Sequence, residues 1–405
     1  MSISKSYNDN KCTSCQVCAA VCPKDAISIS LDHWGFYRPT VSDDKCVECG
    51  LCEQICYRFQ GVEQKVDIEG CQSYAAAAKD DEVVAQTTSG GIADLMCEVF
   101  IAQGFKCVGV AYDIASDKAV EMIAETREQT IPFRGSKYIQ SYSYPTFKKI
   151  INEYKNDKLA VFGTPCQIYG IDLYLNKIHK RDNFILIDLY CHGCPSMNLW
   201  KKYIREAKKK AGINSFDKVT FRSKVRGWGN FYVSGEKDNK LRFVSPKAND
   251  PFFALFFSDS VLNEACADCT IRGTLTHCDI RLGDFWGKKY VLNTRGVSLV
   301  TIVSKKGAAL FEELKGKINY TKHETGDFIQ YQSWGKTYKV NSDLRERLLN
   351  SLANENLSLS ETVKIYNSSL SLKLKLKIIL KTITLQLPIP VISFSKKMYH
   401  LLKGI

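Results

Sequence analysis

The chain has 405 residues, 45 % apolar and 24 % charged, which suits two or three folded domains and excludes a disordered or fibrous chain. Eight of its thirteen net positive charges are lysines in residues 362–405, a stretch without a single acid, so the body is only mildly basic and nucleic acid is not an expected partner. Seventeen cysteines, an odd number, with no apolar leader and no run of about 18 apolar residues, argue against a disulfide scaffold or a membrane span. They point to a reducing, cytoplasmic setting in which thiols bind metal or carry electrons.

Residues 1–62 are cysteine-dense. Cys12, Cys15, Cys18 and Cys22 follow the spacing C-x2-C-x2-C-x3-C, and Cys46, Cys49, Cys52 and Cys56 repeat it 34 residues later. Three thiolates so spaced curl around three irons of a cubane, and the fourth is carried away to the neighbouring cluster. The expected sets are therefore Cys12, Cys15, Cys18 and Cys56 for one [4Fe–4S] cluster and Cys46, Cys49, Cys52 and Cys22 for a second, in an α+β two-cluster ferredoxin fold of the bacterial type. Pro23 follows the first copy, whereas Tyr57 follows the second. Paired zinc knuckles need no third C-x2-C step.

Residues 63–85 read as a connector. Residues 86–345 alternate short β-rich runs (107–112, 159–162, 184–190, 279–282, 297–303) with helical patterns, as in a mixed α/β domain. Ile92 to Ala102 is one such helix, preceded by Thr88-Ser-Gly-Gly91, where Ser89 would cap and Gly90 and Gly91 would admit a phosphate. Gly163-Thr-Pro-Cys-Gln167 reads as a helix start with a capping box from Thr164 to Gln167, placing Cys166 in the first turn, where the dipole lowers a thiol pKa. Cys191 ends the next strand and Ser196 opens the helix after it. Cys166 and Cys191 thus lie at carboxyl ends of strands, where open α/β sheets put their sites. With Cys266 and Cys269 they are candidates for a third [4Fe–4S] cluster, with Cys194 as a substitute, against the alternative of buried small apolar residues. Cys97 and Cys107 read as core. Residues 346–405 form a basic tail in which Lys and Leu alternate over 369–377; residues 362–405 suit peripheral contact with anionic lipid at the inner face of a membrane, an edge strand or an unfolded tail.

Six motifs in order resemble the coenzyme F420 hydrogenase/dehydrogenase beta-subunit family: Thr88-Ser-Gly-Gly91, Arg134-Gly-Ser-Lys-Tyr-Ile-Gln-Ser141, Gly163-Thr-Pro-Cys-Gln167, Cys191-His-Gly193 with Pro195-Ser196, Cys266-x2-Cys269 and Asp279-Ile-Arg-Leu-Gly-Asp-Phe-Trp286. The resemblance covers most of residues 70–345 and implies an α/β flavoprotein core with FAD and the additional cluster. It implies flavin contacts from Ser89, Gly90, Gly91, Ser136, Lys137, Tyr138, Gly163 and Thr164, with Lys137 and His192 as catalytic candidates. Cys194 and Cys278 stand where the family has other residues, so either could replace a ligand. The implied activity is electron transfer between clusters, flavin and an organic two-electron substrate. That substrate is coenzyme F420, a chlorophyll derivative in plant relatives, or an exopolysaccharide-pathway intermediate in a bacterial branch. A ferredoxin or a reductase is the implied redox partner. A carrier protein with clusters and no substrate pocket is the alternative, and a zinc-stabilised interaction module a third.

Overall fold

The computed structural model describes residues 11–62, 66–386 and 391. Near the N-terminus a hairpin pairs β1 (Ile27–Leu31) with β2 (Tyr37–Val41), and the short helices Val17–Ala20 and Leu51–Gln54 stand at equivalent places in the repeat. The core is built on a nine-stranded sheet. Its strands are β3 (Gln72–Ala78), β4 (Lys106–Asp113), β5 (Lys118–Ala124), β6 (Ser141–Tyr142), β7 (Leu159–Phe162) and β8 (Phe184–Leu189), then β12 (Ile280–Asp284), β13 (Ser298–Ile302) and β14 (Ile318–His323), after the separate three-stranded sheet of β9 (Lys218–Ser223), β10 (Tyr232–Lys237) and β11 (Lys240–Pro246). The order is β14-β3-β13-β12-β8-β7-β4-β5-β6, and its centre, β12-β8-β7-β4, is parallel.

Helices cover both faces, so β7 is an unbroken apolar run, Leu159–Phe162, rather than an alternating one. The helices Ile92–Ala102 and Lys305–Leu314 bury Met96, Phe100, Phe311 and Leu314 on one face. On the other, Pro165–Lys177 packs with the N-terminal helix Val17–Ala20, and Val17 lies so close to Gly170 that a Cβ there would sit 3.1 Å from it. A separate core surrounds Trp200, which stacks on Phe221 at 4.4 Å and donates its Nε1–H to the Tyr112 hydroxyl.

Three boundaries differ from the sequence expectation. The segment 63–85 is no mere connector: Gln72–Ala78 is a strand of the main sheet between β14 and β13, and the Gly90 backbone packs against its Ala76 carbonyl. The tail does not begin at 346 as a free segment, because Ser342–Ala353 and Leu359–Ser369 bury Leu348, Leu349, Leu352 and Leu359 in the Trp200 core. The Lys/Leu alternation belongs to a helix, Leu372–Gln386; part of the basic tail, 387–390 and 392–405, lies outside the described residues.

The parallel centre is tied by a buried ion pair. Arg281 on β12 donates from Nε and Nη2 to the two carboxylate oxygens of Asp188 on β8, at 2.7 and 2.5 Å. Arg281→Met leaves Asp188 buried without its partner and lowers stability by about 3–5 kcal/mol, read as a fall in the urea midpoint that Asp188→Asn in the same chain partly restores.

Candidate functional site

The eight cysteines of the repeat divide between two cavities. Cys12, Cys15, Cys18 and Cys56 line one cavity together with Thr13, Gln16 and Tyr37. Cys22, Cys46, Cys49 and Cys52 line another, next to Ala26 and Gly50. The fourth cysteine of each copy has crossed to the other set. The cysteines ring these cavities instead of converging on a point, which suits a polynuclear cluster and not a single zinc ion. Backbone geometry repeats with the sequence: Ser14 and Gln16 have φ of 61° and 66°, and Glu48 and Gly50, 34 residues on, have 51° and 72°. Left-handed residues in such a turn aim amide N–H groups inward, making a concave anion site. Ser14 N–H accordingly donates to Cys12 Sγ and Ala26 N–H to Cys22 Sγ, both at 3.3 Å.

A third set assembles from three distant segments. Cys166 occupies the second position of the helix that follows β7, where the Gln167 side chain accepts from the Thr164 N–H at 2.9 Å and from its hydroxyl at 2.8 Å, as expected. Cys191 leaves the end of β8, and Cys266 and Cys269 arrive on a loop held by Arg272, which donates to the carbonyls of Cys266 and His192. Cys166, Cys191, Cys266 and Cys269 lie within electrostatic reach of one another, and Cys194 joins them. Cys278 does not: it faces Asp188 and Arg281. Cys166 departs from expectation in one respect, since burial outweighs the helix dipole and pushes its thiol up to about 12. Burial and neighbouring thiols raise Cys15, Cys18 and Cys191 as well. Arg272 and Arg345 act on these thiols but do not offset their burial, and iron fits the donor set as the further cation.

The middle set neighbours both of the others. Cys18 senses Cys52 of the outer set, whose Cys49 is exposed. Cys15 senses Cys166 of the inner set, and the Thr13 hydroxyl hydrogen-bonds Cys166. Cys97 and Cys107 are buried side by side in the core.

The flavin motifs also meet. Thr88 accepts the Ser136 N–H at 2.7 Å, joining the 87–91 loop to the 134–138 loop. Within that pair most polar atoms are engaged. Ser89 is not the cap: its hydroxyl donates to Val297 O, and Gly91, at φ 83°, is the N-cap. Gly90 donates to Ser298 Oγ and is glycine for packing, since a Cβ would lie 2.2 Å from Ala76 O. Lys137 gives Nζ protons to the carbonyls of Pro132, Phe133 and Arg134; burial drives its pKa down to about 7 while those carbonyls favour the ammonium form. Tyr138 accepts from Arg222, which pairs with Asp284 at 2.5 Å. Gly163 continues β7 beside β8. Two groups stay open to a ligand. The helix Ile92–Ala102 has no side-chain cap, and Gln140, inside the same motif, is buried with both amide atoms unpartnered. That orphaned amide and uncapped terminus fit a flavin nucleotide. Sequence reading passed over Gln140, although it lies within the 134–141 motif, and over Lys224, which donates to Val84 O and Ser89 O. His192 is held from both sides, Nε2 at 2.8 Å from Asp259 and Nδ1 at 3.1 Å from the Tyr338 hydroxyl.

Residues 156–326 match the family model for the C terminus of the coenzyme F420 hydrogenase/dehydrogenase beta subunit, and residues 11–58 match that of a 4Fe-4S dicluster domain. Over these residues the chain is similar to that beta-subunit family and to dicluster ferredoxin domains. The coenzyme F420 hydrogenase subunit beta of Methanococcus voltae is 26 % identical over 167 residues, 39 % of this chain and 56 % of the relative, so the match spans little more than half of that protein's length. A chain of the xenon-derivatised F420-reducing [NiFe] hydrogenase complex from Methanosarcina barkeri is 19 % identical, with 75 % of this chain and 94 % of that one covered and a TM-score of 0.46. The dicluster region is tied to the segment before the second match through Gln16, whose amide donates to Ser141 O and accepts from the N–H groups of Ser143 and Tyr144 at 2.7, 2.8 and 2.9 Å.

The network around Gln16 ends on a buried acid. Gln167 donates to Ser141 and Ser143, whose hydroxyls donate to Glu121 Oε2. Burial raises Glu121 from 4.5 to about 7. The folded chain therefore holds a proton that the unfolded chain releases, so stability falls as pH rises from about 4.5 to 7 and levels off above. Glu121→Gln flattens that slope, on the order of 3 kcal/mol across the window, measured as the urea midpoint against pH.

Proposed function

We propose that the chain is an iron–sulfur flavoprotein oxidoreductase that moves electrons between [4Fe–4S] clusters, FAD and an organic two-electron substrate. The observation that carries this reading is the trio of cysteine sets, the middle one within electrostatic reach both of the set with exposed Cys49 and of the set at the carboxyl ends of β7 and β8. Cys46, Cys49, Cys52 and Cys22 hold the outer cluster, Cys12, Cys15, Cys18 and Cys56 the middle one, and Cys166, Cys191, Cys266 and Cys269 the inner one. The clusters supply one-electron carriers and the flavin a two-electron one.

The chain's own residues exclude water, hold the thiolates and bind the nucleotide. The uncapped helix Ile92–Ala102 would hold a phosphate through its first N–H groups, and the Gln140 amide, with Ser136 and Tyr138 in the same motif, would hold the remainder of the flavin. Lys137 keeps the loop in shape by tying down three carbonyls, and Gly163 and Thr164 set the start of the Cys166 helix. His192, with Asp259 on Nε2 and Tyr338 on Nδ1, holds a proton beside the Cys191 loop for the substrate. The M. voltae relative is a coenzyme F420 hydrogenase subunit, so a deazaflavin of that kind is the first substrate to try, with an exopolysaccharide intermediate next. A ferredoxin or reductase docks at the Cys49 side. The carrier alternative draws support from one observation, the internal engagement of Ser89, Gly90 and Lys137.

Iron, acid-labile sulfide and released flavin per chain decide between them. Anaerobically purified protein is expected to contain about twelve irons and one FAD, and Cys191→Ser to lose roughly four of those irons; about eight irons without flavin in the parent chain overturns the reading.

No helix among the described residues is long and apolar enough to cross a membrane. The helix Leu372–Gln386 nevertheless exposes Leu372, Leu376, Ile379 and Ile383, each more than half accessible, at spacings that share one face. With the lysines of 362–405, this fits peripheral contact with an anionic cytoplasmic membrane face. Leu376→Glu with Ile379→Glu is expected to abolish co-sedimentation with phosphatidylserine vesicles and to leave iron content unchanged; binding that persists rules the contact out.

A further inference from the structure

Tyr57 is where the cysteine repeat breaks its own symmetry. Its counterpart 34 residues earlier is Pro23, which has no polar side-chain atom. Tyr57 follows Cys56 directly and opens the short helix Tyr57–Gln60. Its side chain is 5 % exposed and is fixed on two sides: the ring meets Tyr169 edge-on at 5.8 Å, and the Arg58 guanidinium lies 4.7 Å over it. The ring packs with Tyr169 and Ile271 against Cys166 and Cys269 of the inner set.

None of these contacts uses the hydroxyl. Tyr169 donates its own hydroxyl to Gly61 O at 2.7 Å, but the Tyr57 hydroxyl is buried with no hydrogen-bond partner. A phenol buried in a protein nearly always finds an acceptor. The thiols it senses are Cys269, Cys166 and Cys266, three of the four inner cysteines. The hydroxyl therefore waits on something held by those cysteines, and the acceptors an iron–sulfur cluster presents are sulfurs.

We propose that the Tyr57 hydroxyl donates a hydrogen bond to a sulfur of the inner cluster and so raises that cluster's reduction potential above that of an otherwise identical cluster without the donor. This rests on the inner-cluster reading above. The sulfurs carry more negative charge in the reduced cluster, so a fixed donor in a dry pocket stabilises the reduced state more than the oxidised one. Because Tyr57 adjoins Cys56, one short segment supplies a ligand to the middle cluster and a donor to the inner one. It biases the electron toward the inner position without touching the middle cluster's own sulfurs.

The test is an EPR-monitored redox titration of the full-length, anaerobically purified protein and of Tyr57→Phe, which keeps the ring and removes the donor. One of three midpoint potentials is expected to move to a more negative value while the other two stay. Three unchanged potentials with about twelve irons per chain overturn the donor and leave the inner cluster standing; about eight irons in the unsubstituted protein overturn the inner cluster itself. Should Tyr57→Phe shed iron, a ring-fluorinated tyrosine at position 57 keeps the hydroxyl and makes it a stronger donor. The same potential must then rise, and its failure to do so sinks the proposal.

Discussion

Thiols gathered away from water resist becoming thiolates, and much of the architecture answers to that resistance. Cys15, Cys18, Cys166 and Cys191 each face other cysteines in a buried setting that disfavours charge. The chain meets this with donors in place of counter-ions. Left-handed residues turn amide N–H groups toward the sulfurs, and guanidinium groups approach the cysteine loops through backbone carbonyls: Arg38 to Cys12, Arg272 to Cys266, Arg58 to Ala265. Positive charge is thus brought close without a side-chain ligand being spent on it, and the net cation is left to the metal.

The same need explains why the N-terminal region does not hang free on a linker. Its cysteine turns are built into the main domain, with Gln16 on Ser141 to Tyr144, Arg38 on Asn263, and the Ser196 hydroxyl on Trp34 O. A ferredoxin port that moved relative to the sheet would change the spacing between the middle and inner cysteines. Here Thr13 and Tyr57, one from each copy of the repeat, both touch the inner set.

What could be read in advance follows from how local each signal is. The eight cysteines of the repeat are legible because their spacing is covalent, and the crossing of Cys22 and Cys56 follows from it. Strands β4, β7, β8 and β13 are β-rich runs closed by turn residues, and the helix Ile92–Ala102 carries a clear amphipathic period. The alanines of β3 carry no strand preference of their own; they form a strand because β13 and β14 pair with them on both sides. Ser89 has the sequence context of a helix cap, but the Val297 carbonyl, more than two hundred residues away, competes for its hydroxyl and wins. Gln140 announces itself only through what it fails to bond, which no sequence displays.

Gln16 sits in a left-handed conformation inside the first cysteine turn while its amide makes three hydrogen bonds to the strand and helix start at 141–144. The turn and the domain contact are one object. Whatever opens the Cys15–Cys18 loop, whether loss of iron or oxidation of a thiol, withdraws that amide and strips two buried N–H groups and a carbonyl of their partner. Damage at the metal is therefore felt as mechanical loosening of the sheet edge, and a chain that has lost its middle cluster becomes a substrate for proteolysis at residues 141–144, more than a hundred positions along the chain from Cys12, Cys15 and Cys18.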